Sequence, residues 1–169
     1  MWTVTHKGDA YARSLADKHY TRQTPGAAMF TRPGYSAVLI YPGAVWVWWR
    51  PKWEDGRPGT ARKDGLRALE CTLFRREPEC DVQASSLVAA AEAYLWTQEV
   101  REALHLDTAG TIDWLLTAIG VAQTQHRRSR HAKPGVCYRK AGWKDADPKI
   151  RPPLKGKLWL VKPCPVLIS

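Results

Sequence analysis

The run YSAVLIYPGAVWVWWR, residues 35–50, constrains the fold more than any other part of the chain. Two stretches rich in β-branched and aromatic residues flank Pro42-Gly43, and such a dipeptide between strand formers signals a tight hairpin. Side chains alternate across a strand, so Trp46 and Trp48 fall on one side and Val47 and Trp49 on the other. At least one side must be core, which makes two of these tryptophans packing residues. A sheet begun this way needs an apolar cover.

That cover is SSLVAAAEAYLWTQEVREAL, residues 85–104. Leu87, Val88, Ala91, Tyr94 and Leu95 fall on one stripe of a helix that starts near Leu87, with Ser85 and Ser86 as its caps. Ala89, Ala90, Ala93 and Trp96 on the other side predict a helix packed closely on the sheet and mostly buried. The rest of the chain fits around this pair. Residues 2–6 alternate like a short strand. Gly8 and Asp9 can start a helix over residues 10–18, with Tyr11 and Leu15 on one face, and Pro25-Gly26 ends any helix there. Residues 51–65 are polar and Gly/Pro-rich, a long mobile connection.

Residues 66–75 return to strand character, and REPECDVQ (76–83) is a loop. Residues 114–121 form an apolar run of strand length. After Pro134 a short helix is expected, ended by Gly142. In GKLWLVKP (156–163) Leu158 and Leu160 face one way, Trp159 and Val161 the other. The order is β-α-β-β-β-α-β-α-β, an α/β (α+β) arrangement, with no repeat and no internal boundary. A single domain over residues 1–169 is expected, and that length supports one real core.

Charge divides the chain. Residues 1–119 hold 14 Lys+Arg against 14 Asp+Glu, and residues 120–169 hold 12 against two, so the whole excess of +10 lies in the last third. Within it, the eight residues 126–133 carry Arg127, Arg128, Arg130 and Lys133 with two histidines. Concentrated cationic charge points to a polyanionic partner, nucleic acid first and an anionic cofactor second. No apolar run approaches the ~20 residues of a membrane span, and the N-terminus lacks the basic-then-apolar order of a secretion signal. A cytoplasmic protein without membrane partners is the expectation. Four cysteines without a C-x-x-C pair argue against a disulfide framework or zinc knuckle. His126 and His131 could offer two ligands, but the cations between them repel a metal ion, so no metal is expected.

The residues VCYRKAGW (136–143), taken with the order of elements, resemble the closing motif of the GCN5-related N-acetyltransferase (GNAT) superfamily, which is close to L-Y-x-K-x-G-F. The likeness covers most of the chain by element order and about eight residues by motif. The wider pattern of HYTRQTPG, the Trp-rich hairpin, CTLFRRE, SSLVAAAEA and KPGVCYRKAGW looks like small GNAT-like proteins of phages and prophages. The phage Mom protein of DNA modification is a more distant likeness. The resemblance implies a single mixed, mostly antiparallel sheet, splayed in the middle, with helices on both faces.

It also implies chemistry: transfer from acetyl-CoA or another acyl donor to an amine. Tyr138 matches the family tyrosine that protonates a departing thiolate, and a phenol of pKa ~10 suits that task. His19 would be the general base, with Tyr20 and Arg22 contacting the acceptor. Arg75, Arg76, Ser85 and Ser86 occupy the family's pyrophosphate position at a helix N-terminus. The family's loop there is glycine-rich. RREPECDVQASS has no glycine and carries Glu77, Glu79 and Asp81, so its donor cradle departs from the family.

In such a layout Arg127, Arg128, Arg130 and Lys133 lie beside the cleft and hold a nucleic-acid backbone, DNA being the first choice. Four phosphate contacts give a salt slope of about −3.6. Trp53 is the tryptophan best placed to stack on an unpaired base. Cys71 reads as a buried strand residue. Three functions follow. The first is a phage-type transferase acting on nucleic acid, most sharply a DNA base modification. The second is a non-catalytic nucleic-acid-binding protein on the same fold, and the third an acetyl-CoA-dependent acetyltransferase of a small amine or protein.

Overall fold

The computed structural model describes residues 1–52, 66–122, 133–149 and 156–165. The strands are β1 (Thr3–Thr5), β2 (Tyr35–Tyr41), β3 (Ala44–Arg50), β4 (Ala68–Arg76), β5 (Trp114–Gly120), β6 (Lys144–Asp145) and β7 (Lys157–Pro163). The helices are α1 (Ala10–Ala16), α2 (Ala84–Tyr94), α3 (Gln98–Leu104) and α4 (Val136–Lys140), with a 3-10 turn at Leu106–Thr108. All seven strands form one sheet of order β1-β2-β3-β4-β5-β7-β6. Every neighbouring pair is antiparallel except β4–β5. The expected mixed, mostly antiparallel α+β architecture is present. None of the described helices is long and apolar enough to cross a membrane.

Alternation along β3 works as the sequence suggests. Trp46 and Trp48 are fully buried under α2, while Val45 and Val47 face α1 on the other side. Trp48 Nε1 donates to the Ala91 carbonyl at 3.1 Å, which gives the buried indole N–H its partner. α2, α3 and α4 cover one face, and α1 covers the opposite face of β2–β4. Trp159 and Val161 of β7 pack with Ala68 and Leu116 in a third cluster, while Leu158 and Leu160 join the main core.

Several local expectations are corrected. The long helix breaks after Tyr94: Thr97 turns extended and its hydroxyl donates back to the Tyr94 carbonyl at 2.9 Å, so Thr97 begins α3. α2 starts at Ala84 with Gln83 at the cap, which puts Ser85 and Ser86 inside the first turn and not at the cap. Arg76 binds the Cys80 and Val82 carbonyls and so fixes the approach to the helix one turn earlier. Ala89 and Ala93 face solvent, so α2 is buried on one stripe only. On α1 the buried face is Ala12, Leu15 and Ala16. Tyr11 stays exposed and accepts the Gly43 N–H at 2.8 Å. The short edge strand β6 has no counterpart in the expected order.

Candidate functional site

β4 and β5 pair over only four positions, from Ala68↔Trp114 to Cys71↔Thr117. Beyond them β4 runs on to Arg76 beside β3, and β5 runs on to Gly120 beside β7, so the sheet forks. A register shift against β3 takes up Thr72 as an extra residue at the fork, the kind of bulge that bends a strand and re-aims its side chains. Two cavities meet in the gap, of about 410 Å³ and 770 Å³. Both are walled by Tyr20, Cys71, Thr72, Leu73 and Ala118.

His19 and Tyr20 cross the gap. Strand edges that have lost each other need other partners, because bare backbone groups away from water are costly. His19 lies against the Phe74 backbone of β4. Tyr20 accepts the Gly120 N–H of β5 through its hydroxyl at 3.1 Å. The two rings are 4.3 Å apart, so one dipeptide bridges both arms of the fork. Thr21 fixes the imidazole, its hydroxyl 2.7 Å from His19 Nδ1.

Desolvation in the cleft wall, helped by the nearby Arg75 guanidinium, pulls the His19 pKa down to about 4, although part of the ring still meets solvent. At neutral pH the ring is uncharged. Between about pH 6.5 and pH 4 the unfolded chain takes up this proton and the folded one does not, so stability falls as pH falls through that window. His19→Gln removes that component. Urea midpoints of both proteins across the window check it, and parallel pH profiles would refute the assignment.

Tyr138 stands at the base of the fork. Its hydroxyl is 3.4 Å from Cys71 Sγ, and Thr117 Oγ1 donates to the Cys71 carbonyl at 3.0 Å, so the last paired residues of the ladder surround it. Burial, reinforced by the neighbouring Cys71 and Cys137 thiols, raises the phenol well above its ordinary pKa. Burial likewise raises the Cys71 thiol well above its ordinary pKa, which favours the protonated form. The ring packs against Trp143 (5.3 Å), Trp46 (5.8 Å) and Phe74 (6.1 Å).

α4 is aimed by Gly135, which has φ +76° and would place a Cβ 2.4 Å from Ile119 Cδ1 and 2.7 Å from Leu160 Cδ1. Left-handed backbone costs an L-residue about 1–2 kcal/mol before those methyl groups shift. Gly135→Ala is therefore expected to lose about 2 kcal/mol or more in urea unfolding. An unchanged midpoint would show that the turn relaxes freely.

The two arginines assigned to a donor pyrophosphate are engaged within the protein. Arg76 is bound to the Cys80 and Val82 carbonyls, and Arg75 to Glu77 and the Lys18 carbonyl. Glu77 N–H donates to the Gly43 carbonyl at 2.7 Å, which folds the β4–α2 loop over the β2–β3 turn. Ser85 and Ser86 are not in the wall of either fork cavity. Glu79 and Asp81 face a separate groove beside Tyr41, away from the fork. Arg75 and Arg76 both line the smaller fork cavity, with these guanidinium bonds already made.

Of the other expected site residues, Arg22 is engaged three ways, with Asp17 and the carbonyls of Ala27 and Met29, and it braces the loop before β2. That pairing, with the Gly26 N–H, holds the Asp17 carboxyl below its usual pKa. Lys133 is exposed and lies close enough to act on Asp145, which Arg139 also binds. Arg127, Arg128, Arg130 and Trp53 lie outside the described residues, as do His126 and His131. The residues flanking that cationic segment are placed: Ala122 lines the larger cavity and Pro134 the smaller. Thr72 and Thr117 had no sequence signal, since only the strand pairing reveals where the ladder stops. No protein-family model, curated protein or solved structure matches the chain.

Proposed function

We propose that the chain is a GNAT-like transferase of the small phage-encoded type, cytoplasmic, which moves an acyl-type group onto an amine of nucleic acid, with a DNA base as the sharpest case. The observation that carries this reading is the fork itself, with the Tyr138 hydroxyl at its base and a cavity opening on either side. In such a transfer the amine nitrogen bonds to the acyl carbon, the bond to the leaving group breaks, and the leaving atom takes a proton. Tyr138, kept protonated by burial, is the group placed to give that proton. His19 lines the same cavity in the uncharged form that accepts a proton from the amine. The excess of +10 in residues 120–169 favours a polyanionic acceptor.

A second reading, nucleic-acid binding without chemistry, is favoured by the engaged Arg75 and Arg76 and the glycine-free loop folded away from the fork. The two readings part in one experiment: nucleosides from cells that express the protein are analysed by mass spectrometry. A new modified base supports the transferase. Unmodified nucleic acid together with salt-sensitive DNA binding supports the second reading. Binding of acetyl-CoA without DNA would displace both in favour of a small-amine or protein acetyltransferase.

A further inference from the structure

The larger fork cavity contains an anchor that no sequence pattern marks. Arg32 precedes β2 and is held from two sides. Its Nη1 donates to Glu70 Oε1 at 3.1 Å, and its guanidinium carbon lies 5.7 Å from the centre of the Trp49 ring. Trp49 is fixed in turn by its Nε1, which donates to the Pro33 carbonyl at 3.0 Å. Glu70 is only 1% exposed, whereas half of the Arg32 side chain meets solvent. The buried carboxylate therefore orients the guanidinium from behind. Among the described residues the other guanidinium N–H groups make no hydrogen bond.

Such a group suits a tetrahedral anion. Guanidinium offers five N–H donors in a planar fork that matches two oxygens of one phosphate. An arginine already immobilised loses little side-chain freedom on binding, and that saving appears as affinity. Lys157, exposed at the start of β7, lines the same cavity together with Gly156, Gly120 and Ala122. Arg32 contributes shaped hydrogen bonds together with a half-exposed charge, and Lys157 adds a second charge in the open. The wall also includes Tyr20, 42% exposed, an aromatic face for an unpaired base. Ala122, the last described residue before the segment carrying Arg127, Arg128 and Arg130, also lines this cavity.

We propose that Arg32 and Lys157 anchor the phosphodiester backbone of single-stranded nucleic acid at the mouth of the larger cavity, with Tyr20 facing a base. The proposal rests on the nucleic-acid reading above and gives it a side: the polymer takes this mouth, and the smaller cavity at Tyr138 is left for the transferred group.

The test is binding of a fluorescently labelled single-stranded oligonucleotide, followed by anisotropy over a range of salt. Lys157→Gln and Arg32→Gln should each weaken binding on the order of tenfold and reduce the slope of log K against log salt by about 0.7. Arg32→Lys keeps the charge and the slope but should still weaken binding, because the planar fork is lost. Arg32→Gln strips Glu70 of a partner and risks the fold. Lys157 is exposed, so its variant carries the test by itself if the other fails to fold. Wild-type binding with all three variants unchanged would overturn the anchor and leave the nucleic-acid reading standing. A wild-type protein without salt-sensitive binding would remove that reading and the anchor with it.

Discussion

Tyr138→Phe is expected to lower the yield of modified nucleoside at least about 100-fold, the lower range for loss of a positioned general acid, while the protein stays folded. The substitution removes one oxygen and leaves the ring among Trp46, Phe74 and Trp143. That oxygen meets the end of the strand ladder, chiefly Cys71 Sγ at 3.4 Å. A sulfur–hydroxyl interaction of that length is weak, so unfolding free energy should change by less than about 1 kcal/mol. The two readouts separate chemistry from packing. Mass spectrometry of nucleosides from expressing cells reports the first, and urea unfolding the second. Modification at the wild-type level in the phenylalanine variant would remove Tyr138 from the mechanism.

The parts of the fold legible in the sequence are those set by local period and turn chemistry. The 35–50 hairpin, the Leu87–Val88–Ala91–Leu95 stripe and the two-sided pattern of residues 157–163 are all present. Each is fixed by side-chain spacing within a single element. The break between α2 and α3 depends on one threonine hydroxyl bonding three residues back, and Thr is common enough in helices that the residue alone does not announce it.

The site was legible only in part. Tyr138, His19 and Tyr20 do meet at one cleft, because the element order brings α4 and the loop after α1 to the same fork. The sequence offered His19 and Tyr20 as chemistry. The structure adds that they bridge the open strand edges. Arg32 and Glu70 are 38 residues apart, and neither falls in a motif, so their pairing becomes visible only through the sheet. The carboxylates of the β4–α2 loop illustrate the converse. By sequence they sit beside Arg75 and Arg76. In space Glu77 pairs with Arg75 and Lys18, while Glu79 and Asp81 turn to another groove.

The largest stability effect is expected at Glu92. Its carboxylate accepts Trp143 Nε1 at 2.6 Å and Lys162 Nζ at 2.5 Å, and Lys162 also donates to the Ala141 carbonyl at 2.8 Å. One buried side chain of α2 thereby ties the end of α4 to β7. Glu92→Ala leaves a lysine ammonium and an indole N–H without their acceptor. Breaking a fully buried pair costs about 3–5 kcal/mol; Lys162 keeps some access to water, so about 2–3 kcal/mol is expected here. For a chain of this size that is a fall in Tm of roughly 4–12 °C.

The double variant Glu92→Leu/Lys162→Met should recover the part of the loss due to the stranded ammonium, because an apolar pair removes both charges together, while the Trp143 N–H stays without its acceptor. Trp143 stacks over Trp48 and meets Tyr138 edge-on, so the single variant should also change the near-ultraviolet circular dichroism of the aromatic cluster. A single variant within about 0.5 kcal/mol of wild type, the range of ordinary surface substitutions, would mean that α4 is held by apolar packing alone. The position of the Tyr138 hydroxyl would then owe nothing to Glu92.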